Sequence, residues 1–217
     1  MGIKPKPPEP VPPVPEPKLP PPPPRPGHIT TFDLGQQPEL EFAVPFSMKK
    51  GEHVILKGKV KKLRVSGLDA GAILDASGLD VSVVTVTGKI DNHSTLKLSA
   101  PNGTVQIAGK IDNRSIVEIN APGGEVRFIL TTNADRDGSK IDNGSSVTLT
   151  ARTVEFKGDI SGADTKVAVT LTRNAWLKVA SVSGKAAVEY KSQMAGWSPP
   201  DVFVGPVAAT AVFRKVE

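Results

Sequence analysis

The sequence predicts an all-β fold: a parallel β-helix (β-solenoid) of about six coils with three short strands per coil, preceded by a disordered Pro-rich N-terminal tail. Three observations predict it. Gly88-Lys89-Ile90-Asp91-Asn92-His93-Ser94 recurs as Gly109-Lys110-Ile111-Asp112-Asn113-Arg114-Ser115, a period of 21 residues, and a third copy follows at Ser139-Lys140-Ile141-Asp142-Asn143-Gly144-Ser145. Each period holds three short runs of alternating apolar residues between glycine or Asn/Asp corners. Helical periodicity is nowhere sustained. A unit of about 20 residues built this way cannot bury its own apolar face and must stack on its neighbours.

Composition agrees with a narrow core. Of 217 residues only 5% are aromatic, while 21 prolines and 20 glycines show that part of the chain lies outside any core. The chain has no cysteine, which excludes disulfides, thiolate metal sites and a cysteine nucleophile. No run is long and apolar enough to span a membrane, and Met1-Gly2-Ile3-Lys4-Pro5 carries no apolar leader. The chain is expected in the cytoplasm if this N-terminus is native, and in the cell envelope or at the surface if an upstream signal or anchor was removed.

Residues 4–26 contain 14 prolines among Lys, Glu and Arg, a composition that prefers extended polyproline II and spans roughly 70 Å at ~3.1 Å per residue. Residues 1–38 are therefore expected to be a disordered Pro-rich spacer. It is a linker or, through Pro10-Val11-Pro12-Pro13, a ligand for a proline-reading partner. Its alternating Pro, Glu and Lys are similar to the spacers of TonB-type energy-coupling proteins. From Glu39 the alternation of Leu40, Phe42, Val44 and Phe46 predicts a strand capping the first coil. Residues 39–192 are expected to form the solenoid with that N-terminal cap, and 193–217 a C-terminal cap with Trp197 on the last rung.

Aligning the repeats places residues in columns. Ile90, Ile111, Ile141 and Ile160 form one; Leu98, Ile119 and Leu149 a second; Ile107, Phe128 and Phe156 a third. The weaker copy Gly158-Asp159-Ile160-Ser161-Gly162 supplies the last isoleucine. The repeat corners Asp91, Asn92, Asp112, Asn113, Asp142 and Asn143 stack likewise. Stacked carboxylates can hold a cation; stacked asparagine amides, with Lys89, Lys110 and Lys140 neutralising the acids, need none.

Other candidate sites are sparse. Asn133, Asp135 and Asp137, in Asn133-Ala134-Asp135-Arg136-Asp137-Gly138, match the start of a calcium loop, although Gly144 stands where the bidentate Glu belongs. Ordinary turn chemistry explains the same residues. The basic edge 49–64, with Lys57, Lys59, Lys61, Lys62 and Arg64, could bind an anionic polymer or serve as a lysine-protected strand edge. No nucleic-acid motif accompanies it. Thr148/Thr150 and Thr170/Thr172 suggest an ice-binding array, but Lys97/Ser99 and Glu118/Asn120 interrupt it. The histidines His28, His53 and His93 share no rung, so neither a triad nor a histidine metal site is indicated, and Glu118, Glu125, Glu155 and Asp159 stand singly beside Lys or Arg.

A proline-rich tail (Pro5–Pro26) before a glycine-cornered solenoid (Lys57–Tyr190) resembles the bactofilins, bacterial polymer-forming cytoskeletal proteins. The resemblance implies self-association through the solenoid ends. The repeats are also similar to solenoid heads of bacterial surface adhesins. Caps at Leu40–Phe46 and Trp197–Phe213 depart from the bactofilin layout and would oppose polymerisation. The expected function is a non-enzymatic structural or interaction module: scaffold, polymer subunit or surface adhesin. The alternative is a carbohydrate-binding or polysaccharide-cleaving β-helix, on fold analogy.

Overall fold

The computed structural model describes residues 29–44, 48, 50–130, 138–193 and 201–217. Eleven strands are described, every one paired in parallel in a single continuous sheet. They are β1 (Ile29–Ala43), β2 (His53–Val65), β3 (Ile73–Val86), β4 (Thr95–Ser99), β5 (Thr104–Ile107), β6 (Ile116–Phe128), β7 (Ser146–Ile160), β8 (Lys166–Val182), β9 (Ala187–Ser192), β10 (Asp201–Val204) and β11 (Val212–Lys215). The chain is a parallel β-solenoid without a helix in its described residues.

Each coil has three sides. The first side begins each coil, as in Thr95–Ser99; the second follows a corner, as in Thr104–Ile107; the third is a single bridged residue. Strands such as β3, β6 and β7 run through the corner between the first two sides, whereas coil four is split into β4 and β5. The third side counts the coils: Met48, Leu68, Ile90, Ile111, Ile141, Ile160, Val182 and Val207 bridge in sequence. There are thus about eight turns instead of six. At a strand spacing of ~4.8 Å they make a rod roughly 40 Å long. The pattern fades toward the ends, where Met48 and Leu68 on one side and Val182 and Val207 on the other replace the isoleucine of the Lys-Ile-Asp-Asn corner.

The expected columns are present. Leu98, Ile119 and Leu149 are register partners, as are Ile107, Phe128 and Phe156. All are buried, and alternation along a strand is why one register lets every coil bury the same positions. Phe128 and Phe156 stack with ring centroids 4.5 Å apart and planes at 17°. The corner glycines permit this spacing. A Cβ on Gly88 would run into the carbonyl oxygen of Ser66, and one on Gly109 into that of Gly88.

Both ends differ from expectation. β1 begins at Ile29, inside the segment read as spacer, and pairs with β2 through Ile29–Asp33, Gln36–Gln37 and Glu41–Ala43. The early half was masked in the sequence because Gly35-Gln36-Gln37-Pro38 breaks the alternation, and two register shifts occur there, between Asp33 and Gln36 and between Gln37 and Glu41. At the other end β10 pairs with β8 and β11 with β9. The segments read as caps therefore continue the coil in the same register. Phe46, Trp197 and the proline-rich residues lie outside the described residues.

Candidate functional site

The repeat corners are a hydrogen-bonded ladder. Asn92, Asn113 and Asn143 sit at positive φ of 51°, 49° and 49°, followed by His93 and Arg114 at 64° and 59° and Gly144 at 73°. Asparagine tolerates this left-handed region better than most residues. Each Asn side chain reaches one coil back: Asn92 Nδ2 donates to Asp69 Oδ1 at 2.8 Å, Asn113 to Asp91 Oδ1 at 2.7 Å and Asn143 to Asp112 Oδ1 at 2.6 Å. The same aspartate oxygens accept the backbone N–H of their own next residue, Asn92 at 2.7 Å and Asn113 at 2.8 Å. Asp69 escaped the sequence reading because Ala70 occupies the Asn position after it. The match of Leu68-Asp69-Ala70-Gly71 to Ile141-Asp142-Asn143-Gly144 could have revealed it.

Lysines complete the corner. Lys110 Nζ lies 2.6 Å from Asp112 and 3.9 Å from Asp142, and Lys140 Nζ lies 2.9 Å from Asp142. Burial works against ionisation of Asp112, but Lys110 and the Asn113 and Asn143 donors outweigh it and hold the carboxyl below the usual range. Asp142 is held down against the same burial by Lys140, the Asn143 N–H and Lys110. Among the described residues no group of three or more His, Asp or Glu is placed to hold a metal ion. The calcium-loop residues Asn133, Asp135 and Asp137 lie outside the described residues.

The basic edge is partly neutralised across coils. Lys61 pairs with Glu39 at 2.9 Å, Arg64 with Glu41 at 3.0 Å and Lys59 with Asp80 at 2.9 Å. The catalytic suspects are similarly engaged. Glu118 pairs with Lys97 at 3.1 Å, Glu125 with Arg127 at 2.6 Å and Glu155 with Lys178 at 3.6 Å, while Asp159 accepts from the hydroxyls of Ser181 and Ser183 at 2.7 Å each. Glu125 and Glu155 do occupy adjacent coils of the second side, two positions apart in register. His53 stands on the first side and His93 at a corner, so the structure does not join them. Thr148 has Glu118 and Ala168 as its column neighbours, and the pair Thr150–Thr170 is flanked by Asn120 and Lys191, so no extended threonine column forms there.

One concave feature was not foreseen. At the corner between the first two sides, three residues (122–124) separate Ala121 from Glu125 in coil five, and four (172–175) separate Leu171 from Trp176 in coil seven. In coil six a single residue, Arg152, joins Ala151 to Thr153. The short corner leaves a notch of about 560 Å³ between two longer ones, lined by Asn102, Arg152, Thr172, Arg173, Asn174 and Trp176 among others. Thr172 Oγ1 donates to the Pro122 carbonyl at 2.6 Å, tying coil seven to coil five across the gap. The signal was the difference in corner lengths, which only the register makes readable.

No protein-family model, curated protein or solved structure matches the chain. Neither Glu125 nor Glu155 lines the notch, whose lining residues include no carboxylate.

Proposed function

We propose that this protein is a non-catalytic structural module, a rigid solenoid rod that acts as a scaffold holding apart or presenting what is joined to it. One observation carries this reading: the carboxylates that polysaccharide cleavage would need are committed to the rod itself, each held by a cation or by hydroxyl donors, most of them on an adjoining coil. Glycoside cleavage requires two carboxyl groups facing one bond, one of them free to carry a proton. Ladders that bind coil to coil serve stiffness instead.

The ends favour a rod of finite length over a polymer subunit. β1 carries two bulges and Pro38, features that blunt an exposed strand edge. At the far end Lys215 is the register partner of Tyr190, in the column that Leu149 and Val169 fill in the interior. A charge at an inward position resists addition of another coil. Against these stand the exposed Phe203, Val204, Val207 and Val212 of the last coil, an apolar surface that a partner or second copy could cover.

The test is the size of the purified full chain across concentration and salt, by light scattering, with electron microscopy of the same samples. A monomer of 22.8 kDa at all concentrations is expected. Fibres with an axial repeat of ~4.8 Å would replace this reading with a bactofilin-like polymer subunit. A hydrolase or lyase activity abolished by Glu155→Gln would overturn the non-catalytic reading.

A further inference from the structure

The notch at the short corner of coil six combines features that the rest of the rod lacks. Arg152 forms its floor at the one-residue corner, and Arg173 and Asn174 rise from the longer corner of coil seven. Trp176 lines it from an outward position of β8 and is only half-buried. One outward column of the first side sets a cation between acids, Asp75, Lys97 and Glu118. The notch has two guanidinium groups and no carboxylate among its lining residues. In register the outward column runs Glu125, Thr153, Trp176 and Asp201, so an acid stands on each side of the notch, and Glu125 is held by Arg127 at 2.6 Å.

We propose that this notch binds an acidic saccharide, a sugar unit carrying a carboxylate or sulfate. The volume lies in the range of small-ligand sites. An indole offers an amphipathic flat surface on which the C–H face of a sugar ring packs. Guanidinium matches planar oxyanions through paired N–H donors, which a lysine cannot do. Asn102, Asn174 and Thr172 supply amide and hydroxyl groups for ring hydroxyls. A nucleic-acid strand fits less well, because single-stranded recognition relies on successive stacking aromatics and the notch offers one. With no carboxylate in its lining and Glu125 held by Arg127, the site holds its ligand and does not cleave it, so the reading goes beyond the scaffold function and does not depend on it.

The experiment uses the full chain with Trp197→Phe, which leaves Trp176 as the one tryptophan. Its emission is followed on titration with an oligogalacturonate, a sulfated oligosaccharide, a neutral oligosaccharide of equal length and an oligodeoxythymidylate. Saturable change with either acidic sugar and none with the neutral one is expected, and which of the two binds names the anion. Arg152→Gln should weaken binding about tenfold, as loss of a charge-assisted contact does. Trp176→Ala, read by calorimetry, should abolish it, and Trp176→Phe should retain part. Lys57→Gln/Lys62→Gln on the basic edge should leave it unchanged. Unchanged melting curves for Arg152→Gln and Trp176→Phe show that the fold is intact. Equal binding of the neutral sugar, preference for the oligonucleotide, no binding at all, or acidic-sugar binding that survives both Arg152→Gln and Trp176→Ala overturns the assignment. None of these outcomes bears on whether the chain is a monomeric rod.

Discussion

The Asn143 side-chain amide donates to Asp112 Oδ1 at 2.6 Å although 31 residues separate them. The 30-residue step between Ile111 and Ile141 therefore leaves the corner ladder unbroken. Asn113 tests the ladder most cleanly, since its amide reaches both Asp91 Oδ1 at 2.7 Å and Asn92 Oδ1 at 3.3 Å. Asn113→Ala removes those bonds and places a Cβ residue without a side-chain oxygen at φ 49°. A loss of about 2–3 kcal/mol in urea unfolding is expected. Asn113→Gly should recover about 1 kcal/mol of it, since glycine carries no left-handed penalty. Equal losses for the two variants would mean that backbone conformation contributes nothing here.

The depressed carboxyls of Asp112 and Asp142 link this ladder to acid stability. Their folded pKa lies below the unfolded value of about 3.9, so their contribution is present above that pH and is lost as pH falls through the folded value. The melting temperature should hold from pH 7 to about 5 and drop below about 4. Asp112→Asn/Asp142→Asn should start lower at pH 7 and fall less in acid. A double variant whose acid profile parallels the parent's would show that other groups set the transition.

Phe128 and Phe156, stacked on each other, are the largest fully buried side chains among the described residues. Phe156→Ala should cost about 3–5 kcal/mol through lost burial and a cavity, and Phe156→Leu markedly less. Chemical denaturation measures both, and a penalty under about 1 kcal/mol for the alanine would imply that neighbouring coils close on the void.

Close coil approach at Gly109 predicts a harsher outcome. Gly109→Ala places a methyl against the backbone carbonyl of Gly88, an atom that cannot swing aside. Destabilisation of at least about 3 kcal/mol, or failure to accumulate as soluble protein, is expected. Gly35→Ala, which meets no atom within 4 Å and faces only a strained φ of +62°, should cost about 1 kcal/mol.

Lys215 tests the blunt end. Lys215→Leu restores an apolar residue to the column of Tyr190 at the end of the rod that also exposes Val204, Val207 and Val212. Sedimentation velocity should then show concentration-dependent association that the parent lacks. If both sediment alike, the lysine is not what limits growth at that end.

The interior of the rod was legible because its constraint is local and repeated: each coil must place small β-branched or aromatic residues at the same inward positions, so Ile90, Ile111 and Ile141 announce themselves. The outer turns were not. Met48, Leu68 and Val182 satisfy the same burial with other side chains, Val207 takes the same bridging place at the exposed tip, and without the Lys-Ile-Asp-Asn corner nothing marks them. β1 was half hidden because Pro38 and two bulges interrupt its alternation, as an edge strand permits. The corner aspartates and asparagines were seen as stacked, but the offset bond from each Asn to the preceding Asp needs the left-handed turn to be known. The notch was invisible, since Arg152 and Trp176 become neighbours only when three corners of unequal length are laid on one another.

A coil in the interior is hydrogen-bonded above and below, whereas β1 and β11 each have a partner on one side among the described residues. Opening therefore costs least at the two tips and most around Ile111 and Ile141, where loss of a coil exposes two neighbours at once. Such a rod does not come apart as one block: it peels inward from its extremities, and amide exchange with solvent should grade along its length, slowest in the middle.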